Sequence, residues 1–178
     1  MKTSFILFIF SITANAENCQ ELYQKHLKTD LELSYKAFDQ TMGEGFRSLV
    51  DKSGEMCHKE IADLIEKYIE VNHAEQSSLR WHIAQSRAND NDYAAAIKYS
   101  KSVLLEHEDF NKRALRWNDY VLGTIAFLEH NKEKLIAHRN KLEEAKDEHF
   151  GNKLNLKYMD SLIKNFDKNY NYASSHIE

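Results

Sequence analysis

The chain has 178 residues and no proline. At average usage a chain of this length carries about nine. Proline fixes φ, lacks an amide N–H and punctuates helices and turns. Only five glycines accompany its absence. The sequence therefore lacks the turn residues that a β-sandwich, a barrel or a glycine-rich nucleotide fold needs. It predicts an all-α protein, its helices joined by short polar loops of Asn, Asp and Ser. The length suits a single domain with its own core. An apolar content of 42% places the chain outside the disordered range.

The N-terminus reads as a targeting segment. Lys2 supplies a positive charge, Phe5–Ile12 is an apolar run too short to cross a bilayer, and Ala14-Asn15-Ala16 is a small-residue cleavage signal. Residues 1–16 are expected to be a secretory signal peptide cleaved after Ala16. Asn18 stands directly before Cys19, where lipid attachment requires a small residue, so a lipoprotein is not expected. No later segment has the roughly 18 apolar residues of a membrane span. The expected product is a soluble periplasmic or secreted protein, not inserted in a membrane after cleavage. The absence of an Asn-x-Ser/Thr sequon sits with a bacterial envelope. The net charge of −4 becomes −5 when Lys2 is removed. That charge, with interspersed basic and acidic residues, argues against nucleic acid as a partner.

An oxidising compartment favours a disulfide between Cys19 and Cys57. Chain-entropy arithmetic values its 38-residue loop at about 3–4 kcal/mol. A redox pair, metal ligands or two free thiols are the alternatives. Neither cysteine lies in a Cys-x-x-Cys motif, and the spacing matches no zinc pattern.

Apolar stripes then mark a series of helices. Residues 39–45 form a loop, and Phe46, Leu49 and Val50 make a short stripe. Ile61, Leu64, Ile65, Tyr68 and Ile69 follow the i, i+3, i+4 pattern of one helical face. Ser77 or Ser78 can cap the next helix, which ends at the polar turn Asn89-Asp90-Asn91-Asp92. Tyr93, Ala96, Ile97, Ser100, Val103 and Leu104 mark its partner. A longer helix is expected from about Lys112 to Glu129, with its partner marked by Leu135, His138, Leu142 and Ala145. The last helix carries Leu154, Tyr158, Met159, Leu162, Ile163 and Phe166. One domain over 17–168 is expected, followed by a loose, flexible tail over 169–178.

The hairpins have an internal period. Leu79-Arg80-Trp81 recurs as Leu115-Arg116-Trp117, 36 residues later, and the turns at Asn91 and Asn131 are 40 apart. Helical hairpins of 35–40 residues are the signature of α-solenoids. The run Asn91-Asp92-Tyr93-x-x-Ala96-Ile97-x-Tyr99-x-x-x-Val103-Leu104 resembles the second half of a tetratricopeptide repeat, with Ala84 in the small-residue slot of the first helix. Over 115–145 the likeness thins, Ile136 standing at the small-alanine position, and the prolines often found between such repeats are absent. Ala37-Phe38-Asp39-Gln40, Gly45-Phe46-Arg47-x-Leu49 and Trp81-His82-x-Ala84-Gln85 also resemble small exported bacterial proteins with such hairpins and no assigned activity.

This resemblance implies antiparallel hairpins stacked as a short tetratricopeptide-like solenoid. It also implies a protein-binding module, an adaptor or scaffold that docks a peptide or protein on a concave face lined by first helices. Candidate lining residues are Trp81, His82 and Gln85 on one first helix and Trp117, Asn118 and Tyr120 on the next. Arg47, Arg80 and Arg116 are candidate donors for a carboxylate. Each has a plainer alternative: the tryptophans as core, the arginines as solvated charges, His82 and Gln85 as hydrogen-bonding residues between helices. A second reading is a periplasmic inhibitor or immunity-type protein that covers one toxin or enzyme. A third is a small metal-dependent hydrolase.

Enzyme signatures are weak. Glu55-x-x-His58 and Glu70-x-x-His73 lie 15 residues apart on one expected helix. At 1.5 Å per residue that is roughly 22 Å, too far to share one metal. The cluster Glu106-His107-Glu108-Asp109 lacks the ligand spacing of a calcium loop, and no phosphate loop or serine elbow is present. No enzymatic activity, cofactor or metal is expected, and the sequence leaves the oligomeric state open.

Overall fold

The computed structural model describes residues 10–53 and 56–177. The expected leader falls partly outside them, at residues 1–9. Among the described residues the chain is all-α, with nine α-helices, one π-helical turn and no strand. None of these helices is long and apolar enough to cross a membrane. The chain divides into two compact units, Met1–Ala74 and Glu75–Glu178.

The first unit contains α1 (Phe10–Thr29), a π-helical turn (Lys36–Gln40), α2 (Gly45–Ser53) and α3 (His58–Asn72). The α3 stripe behaves as its periodicity predicts: Ile61, Leu64, Ile65 and Tyr68 are buried. Phe38, Phe46 and Leu49 are buried in the same unit, with the Phe38 and Tyr68 rings stacked 3.7 Å apart. Two hydrogen bonds tie the link after α1 to α3. Tyr68 donates to the Leu33 carbonyl at 2.8 Å, and Asn72 donates to that of Leu31 at 3.0 Å. Without a glycine or proline to stop it, α3 ends on His73, which takes the left-handed conformation at φ 49° and returns its amide to Ile69. Gly45 also has a positive φ, 49°, and a Cβ there would lie 2.3 Å from the Phe38 carbonyl oxygen. Cys19 and Cys57 are bridged, joining α1 to the residue before α3.

The second unit contains α4 (Ser77–Asn89), α5 (Tyr93–Lys101), α6 (Trp117–Leu128), α7 (Lys132–Glu144), α8 (Phe150–Lys164) and α9 (Tyr170–Ser175). Helices adjacent in sequence pack on one another, and α8 also packs on α6. The α4–α5 and α6–α7 turns are built from the same bonds. In the first, the amides of Asp90, Asn91 and Asp92 return to the carbonyls of Ser86, Ala88 and Arg87, and the Asp92 side chain caps Ala95. In the second, Glu129, His130 and Asn131 return to Ile125, Phe127 and Ala126, and Asn131 caps Lys134. Asn91 and His130 both sit in the left-handed region, at φ 64° and 56°.

Every bond of the second turn is displaced by 39 residues from its counterpart in the first. The structural period is therefore 39, rather than the 36 or 40 read from sequence likeness. Asn131 matches Asp92, and Gly123 matches Ala84. At Gly123 a Cβ would lie 2.6 Å from the Met159 sulfur, so this small residue lets α6 approach α8 closely.

Two expected boundaries move. The helix expected from Lys112 begins at Trp117 instead. Residues 102–116 run without a helix because their backbone is held from the side. Asn118 bonds both backbone groups of Leu105, and Glu108 accepts the Asn118 amide. The tail expected to be loose over 169–178 instead forms α9. Tyr170 and Ala173 are almost fully buried, at 1% and 0% exposure. The Asn169 side chain caps this helix by accepting the Tyr172 amide.

Candidate partner-binding site

Five aromatic residues of the second unit, Trp81, Trp117, Tyr120, Tyr158 and Tyr170, form one connected set. Trp81 on α4 meets Trp117 and Tyr120 on α6 edge-on, at 5.4 and 5.3 Å between ring centroids. Tyr120 meets Tyr158 on α8 at 5.5 Å, and Tyr158 meets Tyr170 on α9 at 6.5 Å. Edge-on contacts at these separations are the favourable geometry for aromatic rings. The Tyr158 and Tyr170 hydroxyls are hydrogen-bonded to each other. Burial pushes all three phenols up, Tyr158 well above its ordinary value and Tyr170 to about 12. At Tyr120 hydrogen bonds with Trp81 and Gln85 partly oppose that rise. These phenols are neutral donors and acceptors at physiological pH.

The structure thus brings together Trp81, Gln85, Trp117 and Tyr120 from the expected face. Trp81 and Tyr120 are buried at the junction of three helices, and the Trp117 indole donates to the Val103 carbonyl at 2.9 Å. His82 is half-buried beside Gln85, its Nδ1 3.3 Å from the Gln85 amide oxygen. Asn118 turns away to hold the loop at Leu105.

The three arginines are not equivalent. Arg47 belongs to the first unit, where its Nε donates to the Asp39 carbonyl at 2.9 Å and its Nη2 lies 3.7 Å from the buried Asp39 carboxylate. Arg80 donates to the Glu75 carbonyl at 2.9 Å. Arg116 lies over the Phe110 ring at 4.0 Å, with its Nε buried and without a hydrogen-bond partner.

A short helix closes this aromatic face. The hydroxyl of Tyr93, the first residue of α5, accepts the Tyr170 amide at 3.1 Å. Ser161 on α8 places its Oγ 2.7 Å from the Ala173 carbonyl and 2.8 Å from that of His176. Helix α9 packs on α8 and α4, and the Tyr170 ring also meets Phe127 of α6 at 6.1 Å.

Three polar constellations escaped the sequence reading. In the first unit His26 and Asp30 are buried, with Nδ1 and the carboxylate 2.6 Å apart, and Thr29 donates to the other carboxylate oxygen at 2.6 Å. The pair borders an open cavity of about 290 Å3 that Ser48 and Lys52 also line. The visible signal was the i, i+4 spacing on one helix.

In the second unit Asp119 lies 2.9 Å from His138 Nδ1 and 3.3 Å from Lys141 Nζ. Burial alone would raise its carboxyl, but the His138 hydrogen bond and the Lys141 ammonium outweigh burial and hold it below the ordinary value. Finally, Asn152 is fully buried on α8. It donates to the carbonyls of Ala114 and Ala145 and accepts the Arg116 amide, each at 2.8 Å. A lone polar residue inside a helical stripe gave no signal of this role.

No protein-family model, curated protein or solved structure matches this chain.

Proposed function

We propose that the protein is an exported helical-repeat module that binds a protein or peptide partner on the face of α4, α6 and α8. The repeated hairpin carries the proposal: two helix pairs share the same turn bonds, 39 residues apart, and rings of α4, α6 and α8 touch in series. Repeated hairpins support this reading because helical-repeat stacks present their first helices to a ligand. The Cys19–Cys57 bridge fits an oxidising compartment. Gln85 and His82 are half-buried candidate residues beside the aromatic set.

The test is a pull-down from an envelope extract with the intact protein and its Gln85→Ala variant. One stoichiometric protein partner, weakened by the substitution, is expected. A co-purifying metal or small molecule with no protein partner would refute the adaptor reading.

A further inference from the structure

Helix α9 meets the second unit as a peptide ligand meets its receptor. It has six residues, too few to hold a helix unaided. Its buried side chains are one aromatic anchor, Tyr170, and one small residue, Ala173, while Tyr172 is 43% exposed. The Tyr170 hydroxyl bonds that of Tyr158, and the remaining hold is side chain to backbone: Tyr93 takes the Tyr170 amide, and Ser161 reaches the carbonyls of Ala173 and His176. A receptor that reads backbone groups and one anchoring ring accepts different sequences in the same place. The anchor lies against the surface assigned above to a partner. Its ring touches Phe127 and Tyr158, and Tyr158 adjoins Tyr120.

We infer that the face of α4, α6 and α8 is a binding surface for a short helical segment anchored by a buried tyrosine, that α9 is its resident occupant, and that a protein partner binds by putting such a segment in place of α9. The inference rests on the protein-binding reading and adds the partner's chemistry and the step that admits it. Tethered through residues 165–169, α9 competes at an effective concentration of roughly millimolar order, so an untethered segment must outbid it or meet it open.

The experiment uses the full chain and a fluorescent peptide with the sequence of residues 169–178. Tyr170→Ala weakens the resident anchor without touching the receptor side. Anisotropy should show the variant binding the peptide at least about 10-fold more tightly than the unmodified protein does. Removing Ser161 Oγ in the same variant (Ser161→Ala) should weaken that binding. In the unmodified chain, native-state hydrogen exchange should show the Ala173 amide opening locally, well before the α6 amides Ile125–Leu128.

A folded Tyr170→Ala protein that binds no peptide overturns the inference. Exchange of Ala173 only together with α6 overturns it as well, and this measurement decides the matter if the variant does not fold. A pulled-down partner indifferent to Tyr170→Ala keeps the protein-binding reading and refutes this placement. Peptide binding without any protein partner refutes the protein-binding reading and leaves α9 as a displaceable occupant.

Discussion

Replacing Asn152 by alanine removes the group that holds three chain segments together. The side chain bonds Ala114 and Arg116 in the loop before α6 and Ala145 at the end of α7, from a fully buried position on α8. The Ala145 bond is sealed from water, and its loss strands a carbonyl at about 2 kcal/mol. The other two are part-buried, so water replaces them at about 1 kcal/mol each. The sum, about 4 kcal/mol, is a large share of the stability of a domain this size. Both tryptophans, Trp81 and Trp117, lie in the second unit, so their fluorescence follows that unit alone during urea unfolding. With a urea slope of about 2 kcal/mol per molar, the midpoint should fall by about 2 M. Lys153→Ala, at the exposed neighbouring position, should stay within about 0.5 kcal/mol of the parent. A loss below about 1 kcal/mol at Asn152 would show that water already replaces these bonds and would refute the reasoning.

Three further outcomes are expected. Opening the Cys19–Cys57 bridge, which spans 38 residues, should destabilise the first unit by about 4 kcal/mol; faster amide exchange at Ile61–Tyr68 in a dithiol reductant checks this, and unchanged exchange contradicts it. Gly45→Ala should cost at least about 2 kcal/mol, because positive φ and the Phe38 carbonyl both oppose a Cβ, whereas Gly43→Ala, at φ 76° with open space around it, should cost about 1 kcal/mol; equal losses by thermal melting would refute the contribution of the Phe38 contact. Asp119 has a folded-state pKa below its unfolded value, so its contribution is present above the unfolded pKa and is lost as pH falls through the folded one; Asp119→Asn should therefore lower the urea midpoint near neutral pH, and the gap from the parent should close under strong acid.

Features set by local chemistry were legible in the sequence. The α3 stripe from Ile61 to Tyr68 and the polar turns at Asn91 and Asn131 needed only periodicity and turn residues. The repeat's register was not legible. Leu79-Arg80-Trp81 lies inside α4, whereas Leu115 and Arg116 precede α6, so the matching letters occupy different places in the hairpin. What repeats is a set of backbone bonds, and a backbone bond leaves little trace in residue identity. The site divided in the same way. The repeat resemblance pointed to Trp81, Trp117 and Tyr120, yet the tertiary pairing of Tyr158 with Tyr170 joins residues whose helices meet only after folding. Tyr170 reads as part of a polar, frayed tail until the ring it meets is known.

The bridge in the first unit has a consequence for the order in which this protein matures. Both of its cysteines lie ahead of residue 58, and all of α4 lies behind it. A chain delivered N-terminus first presents both thiols before any of the second unit emerges. With two cysteines there is one possible intramolecular pairing, so oxidation needs no later proofreading by an isomerase. In a chain exported as proposed, the first unit is locked before the second has emerged, and the remainder of maturation proceeds without thiol chemistry.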